Sequence, residues 1–174
     1  MRRRGGAGVS NSRIGATASR RRACRGAESA VATLPTVNGS IEIRVRYCEC
    51  DPMGVVHHTV YPVWFEMGRT ELLRSTGRNY RDLEAQGILL AVVRLEARYR
   101  APARYDDLVT LRTTLRSAGH VKIEHDYELR RGDEVLAIGS TTLACLDREG
   151  RARPIPEGLF DSTTNPQPIH TARR

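Results

Sequence analysis

From Ile41 the chain alternates strictly, with Ile41, Ile43, Val45 and Tyr47 on one side and Glu42, Arg44, Arg46 and Cys48 on the other. A period of two predicts a half-buried strand. Asp51-Pro52 and Gly54 are turn formers and break the alternation, so residues 49–56 are expected to form a loop. From about His58 the period lengthens. Tyr61, Trp64, Phe65, Gly68 and Leu72 fall on one stripe, while Glu66, Arg69, Glu71 and Arg74 take most of the remaining surface. This spacing predicts an amphipathic helix ending near Gly77. A short second helix is expected over about 80–86.

Four more alternating segments follow, at about 88–101, 107–117, 120–131 and 134–147. In the first, Val93, Leu95, Ala97 and Tyr99 oppose Arg94, Glu96, Arg98 and Arg100. In the third, Val121, Ile123, His125, Tyr127 and Leu129 oppose Lys122, Glu124, Asp126 and Glu128. Ala118-Gly119 and Arg131-Gly132-Asp133 read as tight hairpin connections. The predicted class is α+β, a strand and a helix followed by an antiparallel meander. One long helix and about five strands with a single apolar face fit together if the sheet curls round the helix, the hotdog arrangement. Such a sheet leaves unpaired edges, so a homodimer or homotetramer that extends it is expected.

Charge divides the chain unevenly. Of its 174 residues, 28 are Lys or Arg and 20 are Asp or Glu. Residues 1–40 hold eight of the arginines and one acid, Glu28, whereas residues 41–174 are close to balanced. The basicity belongs to an extension, not to the folded part, and nucleic acid is not expected as a partner. Residues 1–40 are rich in Gly, Ala, Ser and Arg with no apolar periodicity, and are expected to be a disordered extension. The folded domain is expected over 41–160, with a C-terminal tail over 161–174. No apolar run approaches the roughly 18 residues of a spanning helix, so a membrane span is not expected. Cysteines 24, 48, 50 and 145 form no disulfide framework, and reduced thiols in a cytoplasmic compartment are expected.

The chemistry-bearing residues gather ahead of the long helix, in Arg46-Tyr47-Cys48-Glu49-Cys50-Asp51-Pro52-Met53-Gly54-Val55-Val56-His57-His58. A carboxylate here precedes a helix start by one Gly-containing turn. First-turn N–H groups lack intrahelical partners, and with the helix dipole they favour developing negative charge. Cys48, Cys50, Asp51, His57 and His58 could be weighed as metal ligands. However, cysteines two apart on a strand share one face and adjacent histidines point apart, so no metal site is expected. His125, on an apolar strand face, reads as a core or interface histidine.

This stretch resembles the signature of the 4-hydroxybenzoyl-CoA thioesterase-like family of hotdog acyl-CoA thioesterases, including the Tol-Pal-associated branch. The resemblance rests on Asp51-Pro52-Met53-Gly54-Val55-Val56 with His58 and Tyr61, on Phe65-Glu66 with Arg69, on residues 99–107 and on Arg153-Pro154-Ile155-Pro156. It implies hydrolysis of an acyl-CoA substrate without a further cofactor. It implies Asp51 as the catalytic acid, nucleophile or general base, with a backbone N–H near His58 polarising the carbonyl. The His58 side chain would lie near the acyl group. Hydrolysis of acyl groups on a carrier protein and a non-catalytic acyl-CoA-binding scaffold are the alternatives. His57 departs from the aromatic common in the family, and Glu66 reads as structural. CoA carries phosphates, for which Arg94, Arg98, Arg100, Arg104, Arg130 and Arg131 are candidates.

Overall fold

A computed structural model describes residues 37–160. Most of the expected N-terminal extension and the whole C-terminal tail lie outside these residues. The elements, in chain order, are β1 (Asn38–Arg44), a 3₁₀ turn (Tyr47–Glu49), α1 (Val60–Ser75), α2 (Tyr80–Ala85), β2 (Leu89–Tyr99), β3 (Leu108–Ala118), β4 (Lys122–Arg131) and β5 (Glu134–Leu146). The strands form one antiparallel sheet in the order β1-β3-β4-β5-β2. Its inner face meets α1, giving the hotdog arrangement of the α+β class.

Packing explains the tightness of the wrap. The α1 stripe of Tyr61, Trp64, Phe65, Gly68 and Leu72 is buried; its first three side chains pack with Ile41 and Ile43 of β1, Val109 and Leu111 of β3, and Tyr127 and Leu129 of β4, and Gly68 lies against Leu111. Phe65 stacks on Tyr127 with ring centroids 4.4 Å apart. A Cβ at residue 139 of β5 would collide with the Phe65 ring, so glycine there lets the aromatic ring lie directly on the sheet. Leu72, Leu73 and Leu83 form a second cluster with Ile123, Leu143 and, from beyond β5, Leu159 and Phe160.

Three expectations need correction. β1 stops at Arg44, and the chain turns so that Val45 pairs its backbone with Asp106 and Asp107; Tyr47, expected on the apolar side, is exposed. α1 opens at Val60, two residues later than the periodicity suggested, because the His57 carbonyl takes the Val60 N–H in a preceding turn. Pro62, which has no N–H, is harmless in the first helical turn. Finally, β2 has a bulge between Val92 and Arg94, and its apolar residues are not buried within the chain. β2 is the sheet edge farthest in order from β1, and α1 lies mainly over β1 and β3.

Candidate active site

The loop between β1 and α1 is built from short local bonds. Asp51 donates its N–H to the Val55 carbonyl at 2.9 Å and accepts the Gly54 N–H at 2.9 Å, closing a tight turn in which Gly54 takes φ +73°. Few residues other than glycine adopt that backbone conformation readily. The Met53 N–H donates to Asp51 Oδ1 at 2.9 Å. The second carboxylate oxygen accepts no hydrogen bond among the described residues. One oxygen is therefore fixed and the other is open.

Glu49 anchors the loop from below, a role that sequence reasoning missed. Its buried carboxylate accepts the Arg46 N–H at 2.8 Å, an Arg46 guanidinium bond at 2.9 Å and the Trp64 indole N–H at 3.2 Å. Its carbonyl accepts the His57 N–H at 2.9 Å. Burial pushes this carboxyl upward, but the bonds from Arg46 and Trp64 outweigh it and hold the group below the usual carboxylate range. Glu49 thus ties the strand end, the loop that carries Asp51 and α1 together as an anion.

Asp51 and His58 line one cavity of about 310 Å³, with Met53, Val55, Val56, Tyr61, Tyr99, Arg100, Ala101 and Pro102. The Tyr99 hydroxyl donates to the His58 carbonyl at 3.0 Å, fixing the peptide before the helix. The His58 N–H itself has no acceptor among the described residues. His57 does not line this cavity, but its ring lies against that of His58 with centroids 4.2 Å apart, so the two histidines do not point apart as expected; its Nδ1 is 2.8 Å from the Thr59 hydroxyl. Tyr99 is 41 residues from His58 in sequence, and no local pattern announces that contact.

The other candidates separate cleanly. Glu66 is exposed and accepts Arg69 at 3.0 Å. His125 is buried; desolvation, with the Arg69 cation second, pushes its imidazole down to about 4 and keeps it neutral. Cys48 is exposed and Cys145 buried, and no group of three or more potential ligands is placed to hold a metal ion among the described residues. Of the six arginines, Arg94 pairs with Glu96, Arg130 with Glu128, and Arg131 with both Asp107 and Glu134. Arg98, Arg104 and Arg100, the last of which lines the cavity, form no ion pair among the described residues.

A family model described as the thioesterase-like superfamily matches residues 45–162. The chain belongs to that superfamily. The matched span contains α1 with the loop before it, so the Asp51 cavity lies within the family region. The Escherichia coli acyl-CoA thioester hydrolase YbgC is 36% identical over 119 residues, covering 67% of this chain and 89% of its own. YneP of Bacillus subtilis is 36% identical over 109 residues, 62% of this chain and 79% of its own. Among solved structures, a DHNA-CoA thioesterase from Staphylococcus aureus superposes with a TM-score of 0.63 at 33% identity, covering 68% of this chain and 79% of its own. By family and by fold, then, this protein is an enzyme of the thioesterase class.

Proposed function

We propose that the protein hydrolyses acyl-CoA thioesters to a free acid and CoA, in a cytoplasmic compartment and without a metal. What carries this reading is one juxtaposition: an open carboxylate oxygen of Asp51, the unpaired His58 N–H and the Tyr61 ring border the same cavity. Acting as general base, Asp51 takes a proton from water as its oxygen adds to the thioester carbonyl. Acting as nucleophile, it forms an acyl anhydride that water then cleaves. In both routes the carbonyl oxygen becomes an oxyanion that the His58 N–H stabilises, the C–S bond breaks, and the CoA thiolate leaves and is protonated. The His58 side chain borders the acyl group. CoA release from a panel of short aliphatic, long aliphatic and aromatic acyl-CoAs tests this directly. Turnover of at least one class is expected, and none on any ester would overturn the reading.

The active unit is a homo-oligomer built on the β2 edge. Val92, Val93, Leu95 and Tyr99 of β2 and Val63 and Met67 of α1 are all exposed, Val93 at 58% and Val63 at 53%. An apolar strip beside an unpaired strand edge is a surface made to be covered, and a second copy supplies a matching edge. Light scattering is expected to give a dimer or tetramer mass, and Leu95→Asp to shift it toward monomer. A monomeric wild type would reject this assembly.

A further inference from the structure

The turn that leads into α1 commits its backbone donors to fixed acceptors, with one exception. The His57 N–H goes to the Glu49 carbonyl at 2.9 Å, and the Val60 N–H to the His57 carbonyl at 3.0 Å. The Thr59 N–H donates to His57 Nδ1 at 3.4 Å, and the Thr59 hydroxyl lies 2.8 Å from the same nitrogen. Between them the His58 N–H has no acceptor among the described residues, and His58 lines the Asp51 cavity. His57 thus supplies, from its backbone and its side chain, the acceptors for both N–H groups that follow His58.

The chemistry of that side chain is specific. A backbone N–H can only donate, so Nδ1 is the acceptor and the Thr59 hydroxyl donates to it as well. A side-chain acceptor for the N–H two residues on is the bond that Asp and Asn make in turns, and here an imidazole makes it. Thr59, at the N-cap position of α1, forms no side-chain cap bond, and its backbone is already helical at φ −72° and ψ −13°. His57 therefore closes the entry to the helix in place of the usual cap.

The direction of the free donor follows from the same bonds. In a trans peptide the His58 N–H and the His57 carbonyl share one plane and point opposite ways. That carbonyl is held by Val60 in the first turn of α1, which turns the His58 N–H away from the helix. The following peptide is fixed by the Tyr99 hydroxyl on the His58 carbonyl at 3.0 Å. A bond from residue 57 to residue 59 spans residue 58 and restrains both of its backbone dihedrals. The His57 ring also packs on the His58 ring, with centroids 4.2 Å apart and planes at 39°.

We propose that His57 is the positioning residue of the oxyanion donor: its Nδ1 bond to Thr59 fixes the peptide that aims the His58 N–H at the thioester carbonyl. This rests on the acyl-CoA reading above. A donor that must meet a developing oxyanion contributes most when its direction is set before the reaction begins. Loosening it costs rate in the transition state and leaves ground-state binding nearly alone. His57 touches no substrate in this role, and another residue can replace it if it offers Thr59 an acceptor.

Three variants test the proposal. His57→Ala is expected to lower kcat by about 10–100-fold with KM little changed. His57→Asn, whose Oδ1 accepts the N–H two residues on, should recover most of that loss. His57→Phe keeps a flat ring against His58 but has no acceptor, and should stay as slow as the alanine variant. A CoA dithioester, with sulfur in place of the carbonyl oxygen, reports the oxyanion contact because sulfur is a weak acceptor. Wild type should prefer the oxygen ester, and that preference should narrow in the Ala and Phe variants and return in the Asn variant. Unchanged kcat in His57→Ala, a loss confined to KM, or recovery by Phe and not by Asn would overturn the proposal. Amide exchange by NMR on the full chain needs no turnover: the Thr59 amide should exchange more slowly in wild type and His57→Asn than in the other two. That pattern in a protein that hydrolyses no ester would keep His57 as the residue fixing the His58 peptide and remove the hydrolase. Turnover with His57→Ala at the wild-type rate would do the reverse.

Discussion

Asp51→Asn is expected to lower kcat by about 10²–10⁴-fold, the range for losing a positioned general base, with KM changed far less. The substitution is nearly isosteric. An asparagine Oδ1 still accepts the Met53 N–H, so the turn that carries residue 51 stays closed. What disappears is the charge on a carboxylate that lines the cavity and whose second oxygen accepts no hydrogen bond among the described residues. Asp51 is half-buried in a local turn, and stability should change by no more than about 0.5 kcal/mol. Loss of turnover with an unchanged melting curve therefore isolates the chemistry. The route can be read from the same enzyme, because an acyl anhydride on Asp51 would be trapped by hydroxylamine as an acyl hydroxamate with release of active enzyme, at a rate independent of the leaving thiol once the anhydride accumulates. Near-normal kcat in Asp51→Asn would remove Asp51 from the mechanism.

The elements most legible in the sequence are those whose period is enforced by burial inside one chain. β3 and β4 alternate because α1 covers one face, and Val109, Leu111, Ile123 and Leu129 are fully buried as their positions predict. β2 alternates equally well, yet Val93 and Leu95 are exposed. Its pattern encodes a surface rather than an intrachain contact, and a bulge at Val92/Arg94 shifts the register on top of that. Periodicity reports that a face is apolar, not what covers it. Tyr47 shows the converse: it continues the alternation of β1 by identity while the backbone has already left the sheet.

The site was legible in a different way. Asp51, with its turn residues and helix start, forms a local arrangement, so its place in the cavity could be anticipated from adjacent residues. The chemistry proposed for it rests on the resemblance, because an Asp-Pro turn alone is ordinarily just a turn. The partners that complete the arrangement are distant in sequence. Tyr99 reaches the His58 carbonyl from β2, and Glu49 depends on Trp64, 15 residues further on and in another element. Neither contact leaves a local signature. Six arginines were equivalent by type, and only the folded structure shows which of them neighbouring acids neutralise.

Trp64→Ala is expected to cost about 3–5 kcal/mol of folding stability, a large share of the roughly 5–15 kcal/mol typical of a whole domain. Trp64 is 1% exposed and lies in the core between Tyr61, the β1–β3 side of the sheet and Glu49. Truncation leaves a ring-sized cavity and removes the indole donor from a buried carboxylate, so two costs combine. Trp64→Phe separates them, since it keeps most of the ring volume and loses only the N–H; about 1–2 kcal/mol is expected from the lost hydrogen bond to the buried carboxylate, whose Oε1 then keeps only the Arg46 guanidinium. Both losses should shrink as the pH falls. Glu49 is held below its unfolded value, so its ionisation stabilises the fold above the unfolded carboxyl range, and that contribution disappears as pH drops through the folded pKa. In the Phe variant one of the bonds that depresses this pKa is gone, and acid unfolding should begin at a higher pH than in wild type. Urea melts followed by circular dichroism are the suitable measurement, because Trp64 is the only tryptophan and its fluorescence is lost in both variants. Because Glu49 also holds the His57 N–H, the Phe variant should bind substrate less tightly through a loosened loop. A Phe variant as acid-resistant as wild type would show that the Trp64–Glu49 bond does not anchor the loop that carries Asp51.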